Sequence, residues 1–110
     1  MDKNHALDAF SALSQSTRLD VFRLLIKAGD AGMSAGDIGD TLGVRQNTMS
    51  ANLGVLARSG LIRSEREGRS IRYFADMDGM RGLLAFLMED CCGGRPELCQ
   101  PVINELACAC

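Results

Sequence analysis

The hydrophobic period of this chain switches from helical to alternating over one short stretch, and that switch constrains the fold more than any other feature. Apolar residues recur at helical spacing as far as residue 58, and across residues 61–75 they alternate with a period of two. Leu7, Phe10 and Leu13 predict a short first helix. Ser16 and Thr17 can cap a second, with Asp20 three residues beyond Thr17 in a pattern that resembles a capping box. Leu19, Phe22 and Ile26 then line one face, with Leu25 beside them, and the Gly29–Gly32 stretch stops the helix. Ser34 and Asp37 repeat the cap for a short helix through Ile38 and Leu42, stopped by Gly43. A further helix is predicted over residues 46–58, with Met49, Leu53 and Leu56 on its buried face and Gly60 as terminator. Two short helices joined by a Gly-containing turn match the helix-turn-helix signature.

Residues 61–66 and 69–75 flank Glu67-Gly68 and read as a β-hairpin whose turn uses Gly68. Arginines on both arms make it a basic hairpin. A helix over about residues 77–88 follows. Its Leu83, Leu84, Phe86, Leu87 and Met88 spread too widely for a single buried stripe, which implies a subunit interface. Gly93-Gly94, Pro96 and Pro101 predict a loop over residues 91–101, with one or two helical turns over 102–107.

Size and charge narrow the function classes. The chain has 110 residues, 46% of them hydrophobic and 24% charged, enough for one folded domain and too few for a large multidomain enzyme. No apolar run approaches the ~20 residues of a membrane span. The start Met1-Asp2-Lys3-Asn4-His5 has no apolar h-region, so a cytoplasmic chain without a secretory signal is expected. Net charge is −2, yet residues 43–72 carry Arg45, Arg58, Arg63, Arg66, Arg69 and Arg72 against only Glu65 and Glu67. A basic module in an acidic body is an electrostatic footprint for phosphate, although a solvated charged hairpin gives the same count.

The five cysteines, Cys91, Cys92, Cys99, Cys108 and Cys110, all fall in the last twenty residues. A disulfide framework would spread them to close loops across the fold. Thiols gathered at one end and kept reduced are free to bind a soft ion. Trivalent arsenic and antimony bond three sulfurs in a pyramid, whereas zinc usually takes four ligands in a tetrahedron. Cys91, Cys92 and Cys99, with no His nearby, suit the pyramid; Gly93-Gly94 can end a helix there and Pro96 can bend a loop so that Cys99 returns. Cys108 and Cys110 are additional candidates. Sulfur-rich coordination also fits cadmium, lead or mercury, and buried cysteines can act simply as small hydrophobes.

Residues 42–56 (LGVRQNTMSANLGVL), Ser59-Gly60-Leu61-Ile62, residues 67–73 (EGRSIRY) and the upstream residues 13–19 (LSQSTRL) together resemble the arsenic-repressor (ArsR/SmtB) family. The resemblance covers roughly residues 6–90. It implies a homodimeric winged-helix repressor that leaves DNA when a metal or metalloid binds. The C-terminal cysteines are similar to those of arsenite-sensing members. Four departures stand out. The Cys-x-Cys pair common before the recognition helix is replaced here by Ser34-Ala35-Gly36-Asp37-Ile38. The only histidine is His5, so the family's Asp/His zinc site has no counterpart, and a disordered N-terminus is the expected home for His5. Arg45 stands where a capping Ser is usual, and Asn52 where His is common.

The expected fold class is therefore mainly α (α+β): a homodimeric winged helix-turn-helix of about five helices plus a two-stranded hairpin wing. Residues 1–90 form the DNA-binding and dimerisation domain and residues 91–110 the metalloid-sensing segment. Gln46, Asn47, Thr48, Ser50 and Asn52 are expected exposed on the recognition helix, where Gln and Asn can bond adenine and Ser or Thr can contact bases or phosphates. Arg45 can meet phosphate or guanine, and Arg66 and Arg69 the DNA backbone or minor groove. The inferred activity is operator repression relieved by arsenite or antimonite, with no organic cofactor. A thiol redox or persulfide sensor on the same scaffold competes with it, as does a thiol metal buffer or chaperone. No Cys-x-x-Cys motif and no acid or nucleophile pattern around His5 support an enzyme.

Overall fold

A computed structural model describes residues 1–88 and 96–109 of the chain. Helix α1 (Lys3–Leu13) is followed by α2 (Ser16–Ala28), a 3-10 turn (Gly29–Ala31) and strand β1 (Met33–Ser34). Then come α3 (Ala35–Leu42), α4 (Gln46–Arg58), β2 (Ile62–Glu67), β3 (Ser70–Ala75), α5 (Met77–Leu87) and α6 (Pro96–Ala109). The strands form one antiparallel sheet in the order β1-β3-β2. This is the winged helix-turn-helix expected, with a third strand and a longer final helix added. Among the described residues no helix is long and apolar enough to cross a membrane.

The core lies where α1, α2, α3 and α4 meet the base of the hairpin. Val21, Leu25, Ile38, Met49, Leu53, Leu56 and Leu61 are its largest fully buried side chains. The second helix buries a different face from that expected, and the first turns its alanines inward. On α1 the buried residues are Ala6, Ala9 and Ala12, while Leu7 and Phe10 are exposed. On α2 they are Val21, Phe22 and Leu25, while Leu19 and Ile26 are exposed. Three alanines one turn apart let α1 lie close against its neighbours, and its bulky residues are left outside. The N-cap of α2 is also not Ser16 or Thr17. Gln15 fills it, its Oε1 accepting from the Arg18 amide at 2.9 Å.

The helix-turn-helix follows its sequence signals closely. The Ser34 hydroxyl accepts from the Asp37 amide at 3.1 Å and starts α3. Gly43 ends it in the left-handed conformation (φ 68°), where a side chain would be strained. The hairpin differs by one residue from expectation. Glu67 pairs with Ser70, so Gly68 and Arg69 are the two central turn residues and Arg69 sits at the very tip. At the other end of the hairpin, Asp76 caps α5 by accepting from the Gly79 amide at 3.1 Å. Gly79 packs against the chain at Gly60, and a Cβ there would overlap the Gly60 carbonyl oxygen.

Residues 96–101 are helical, not a loop. Proline is tolerated at the first position of a helix because its missing N–H would have had no partner there, and Pro96 takes that place in α6. Pro101 lies inside the same helix and supplies no N–H to its ladder. Gln100 donates to Asn104 one turn on, at 2.9 Å. An apolar groove of about 370 Å³ runs between α5 and α6, lined by Leu84, Leu87, Met88, Val102, Ile103 and Leu106.

Candidate nucleic-acid interface

Helix α4 exposes four of the five polar residues expected on its outer surface, all in its first two turns. Gln46, Asn47, Thr48 and Ser50 are exposed, while Met49, Leu53 and Leu56 face the core. At 100° per residue, Asn47 points most directly away from that core, with Ala51 and Gly54 continuing the same outer face and Thr48 and Ser50 at its two flanks. The Asn47 side chain accepts from the Thr48 amide at 2.9 Å. Arg45 occupies the N-cap in extended conformation and gives the helix no side-chain cap. Its guanidinium is thus left exposed beside the positive end of the helix.

Asn52 does not belong to this surface. It is 8% exposed, and its Oδ1 accepts from Arg18 Nη1 at 3.3 Å. The reason is its position: three residues after Met49 and four before Leu56, it falls on the buried face, and a polar side chain is accommodated there because Arg18 supplies a donor. Arg18 also donates from Nε to the Ala12 carbonyl at 2.7 Å. Sequence reasoning passes over this arginine, because its partners lie on two other helices.

The arginines of the hairpin divide into two groups. Arg63 is engaged at the base, 2.6 Å from Glu65 and stacked 4.4 Å over the Phe74 ring. Arg72 donates to the Ala31 carbonyl at 2.7 Å and ties β3 to the 3-10 turn. Arg66 and Arg69 are exposed and make no side-chain hydrogen bond or ion pair among the described residues. The wing therefore holds itself in place with two arginines and leaves two exposed at its end.

His5 is ordered on α1. Its Nε2 lies 3.2 Å from the Ser59 carbonyl, at the end of α4. The cysteine candidates stand differently. Cys91, Cys92 and Cys110 lie outside the described residues, and Cys99 and Cys108 are on α6, so Cys99 belongs to a helix and not to a returning loop. Among the described residues no three His, Cys, Asp or Glu side chains gather as a metal site.

Comparison with known proteins agrees with this geometry. Residues 13–65 match a family of helix-turn-helix domains. YbzH, an uncharacterized HTH-type transcriptional regulator of Bacillus subtilis (strain 168), is 31% identical over 93 residues, covering 74% of this chain and 93% of its own. An ArsR-like transcriptional regulator from Rhodococcus sp. RHA1 superposes with a TM-score of 0.71 at 27% identity, over 94% of this chain and 93% of that one. The homodimeric winged helix-turn-helix DNA-binding domain of a possible ArsR-family regulator from Mycobacterium bovis gives 0.65 at 26% identity, over 77% of each chain. An exposed polar helix beside a basic wing thus meets its relatives, and the superposition is with ArsR-like regulators: the chain belongs to the HTH-type transcriptional regulators, with the winged helix-turn-helix fold.

Proposed function

We propose that this regulator is a repressor that binds operator DNA as a homodimer and is released when trivalent arsenic or antimony binds Cys91, Cys92 and Cys99. The observation that carries the DNA half is the exposed set Arg45, Gln46, Asn47, Thr48 and Ser50 on α4, together with the unengaged Arg66 and Arg69 at the wing tip. The polar helix residues read base edges, and the arginines hold phosphate. Ala51 adds little bulk to the outer face of α4, and the Arg58 guanidinium lies beside Gly54 on that face.

Pairing is supported by exposed apolar residues on the two helices at the rim of the domain. Leu7 and Phe10 of α1, and Leu84 and Leu87 of α5, would be left in water by a single copy. The Mycobacterium bovis domain is homodimeric. Two reading helices related by a two-fold axis then face half-sites about one DNA turn apart.

The thiol half rests on the crowding of all five cysteines into the segment that follows α5. Arsenite, As(OH)₃, condenses with three thiols: three As–S bonds form, three waters leave, and nothing is oxidised or reduced. Cys99 and Cys108 are nine residues apart on α6, about 13.5 Å along the helix axis. That separation favours Cys91 and Cys92, nearer in sequence to Cys99, as its partners. A site continuous with the interface helix can move the two reading heads apart when it closes.

The test is a gel-shift titration on the DNA upstream of the chain's own gene, with arsenite, antimonite, cadmium and zinc in separate arms. Release by arsenite or antimonite at the lowest concentrations is expected. Release by cadmium alone moves the assignment to a divalent soft metal. Release by an oxidant without any metalloid moves it to thiol redox chemistry, and failure to bind any duplex sequence-specifically leaves a thiol buffer.

A further inference from the structure

The structure assigns Arg18 and Asn52 as a positioning pair that fixes the orientation of the reading helix against α1; the assignment rests on α4 being the helix that reads DNA. Three helices meet at one guanidinium. Arg18 belongs to the first turn of α2, its Nε donates to the carbonyl of Ala12 at the end of α1, and its Nη1 donates to the side-chain oxygen of Asn52 on α4.

Each partner needs this donor. Ala12 is in the last turn of α1, where helix carbonyls have no N–H from within the helix. Asn52 and Ser59 are the only buried polar side chains among the described residues, and Ser59 bonds within its own helix, to the Leu56 carbonyl. Of the α4 side chains Asn52 alone bonds to another element; the other polar contact with α1, His5 Nε2 on the Ser59 carbonyl, lies at the far C-terminal end of α4. The rest of the α4 inner face is Met49, Leu53 and Leu56, aliphatic chains that resist separation from the core but tolerate a small rotation about the helix axis. A hydrogen bond is directional, and so it sets the angle that the apolar contacts leave loose. That angle decides where Gln46, Asn47 and Ser50 point. Because the same guanidinium is fixed to the end of α1, a shift of α1 is passed to the reading helix through Arg18.

Lysine tests this, since it keeps the charge of Arg18 but its single ammonium cannot reproduce the planar fork that meets two acceptors. The wild-type protein is first used to enrich a tight-binding duplex from a random-sequence pool. Affinity for that duplex and for an unselected duplex is then measured against salt for wild type, Arg18→Lys, Asn52→Leu and the double variant, with thermal unfolding of each. Both single variants are expected to lose about tenfold on the enriched duplex and less than about twofold on the unselected one, with unchanged salt slope. The double variant is expected to lose no more than the worse single, because the two residues act through one contact. Equal loss on both duplexes, losses that multiply in the double variant, or unchanged affinity for the enriched duplex would each overturn the assignment. A fall in salt slope for Arg18→Lys would overturn it too, by making Arg18 a phosphate contact. Should Arg18→Lys fail to fold, Asn52→Leu and Asn52→Ala are read by the same two-duplex ratio. If the wild type enriches no duplex, the reading role of α4 itself fails, an outcome distinct from all of these.

Discussion

Arg69→Ala offers the most direct test of how the wing is sorted into engaged and free arginines. Arg69 is at the hairpin tip, exposed and without a partner among the described residues, so its removal should change folding stability by less than about 0.5 kcal/mol. In a homodimer the substitution occurs twice. Each arginine removed from a phosphate lowers the slope of log K against log salt by about 0.9, so the pair lowers it by about 1.8. Over a fourfold change in salt, the affinity gap between variant and wild type therefore changes about twelvefold. The matched control is Arg63→Ala. It removes an exposed ion pair and a stacking interaction with Phe74, together worth about 1 kcal/mol, and should lower the unfolding midpoint by a few degrees with no change in slope. Fluorescence anisotropy on a labelled duplex at five or so salt concentrations reads both. An unchanged slope for Arg69→Ala, or an equal fall for Arg63→Ala, would refute the division drawn from the hairpin geometry.

Three further outcomes are expected. Gly79→Ala forces a methyl group onto the Gly60 carbonyl and should destabilise the fold by about 1–3 kcal/mol, read as a lower urea midpoint; a midpoint equal to wild type would show that α5 can slide without cost. Gln46→Ala should cost about 1–3 kcal/mol at one base position and relax preference there, while leaving affinity for random DNA intact; equal losses on both would remove it from the base-reading set. Single Cys→Ser changes at 91, 92 or 99 should keep operator binding and blunt its release by arsenite, and the joint change of Cys108 and Cys110 should leave release largely intact. The reverse pattern in gel shift would show that the third ligand is not Cys99.

The parts of the fold legible in the sequence are those set by neighbours along the chain. The α3–α4 unit has its boundaries written in Ser34, Gly43 and the Met49, Leu53, Leu56 spacing, each a signal carried by residues close along the chain. The wing is legible from period and arginines, although the exact turn depends on which residues pair across the strands. What stays hidden depends on distant partners. Asn52 reads as a surface residue until Arg18, 34 positions away, is seen to meet it. β1 has two residues, too few for any period, and exists only because β3 accepts it. Leu7 and Phe10 give the period that marks α1, but the face it buries is alanine, which carries no such signal. The two prolines of α6 hide a helix, since each breaks helices in most contexts.

The alanine face of α1 carries a consequence for dosage. A helix that turns Ala6, Ala9 and Ala12 inward contributes little apolar area to its own subunit and holds Leu7 and Phe10 for another surface. With a second copy as that surface, as proposed, part of what stabilises each subunit arrives only on encounter. Every tenfold dilution then weakens the paired state by about 1.4 kcal/mol relative to separate chains. Operator occupancy would fall more steeply than copy number, because scarcity removes the partner as well as the binder. A cell could thus clear its operator by lowering synthesis alone, with no inducer present.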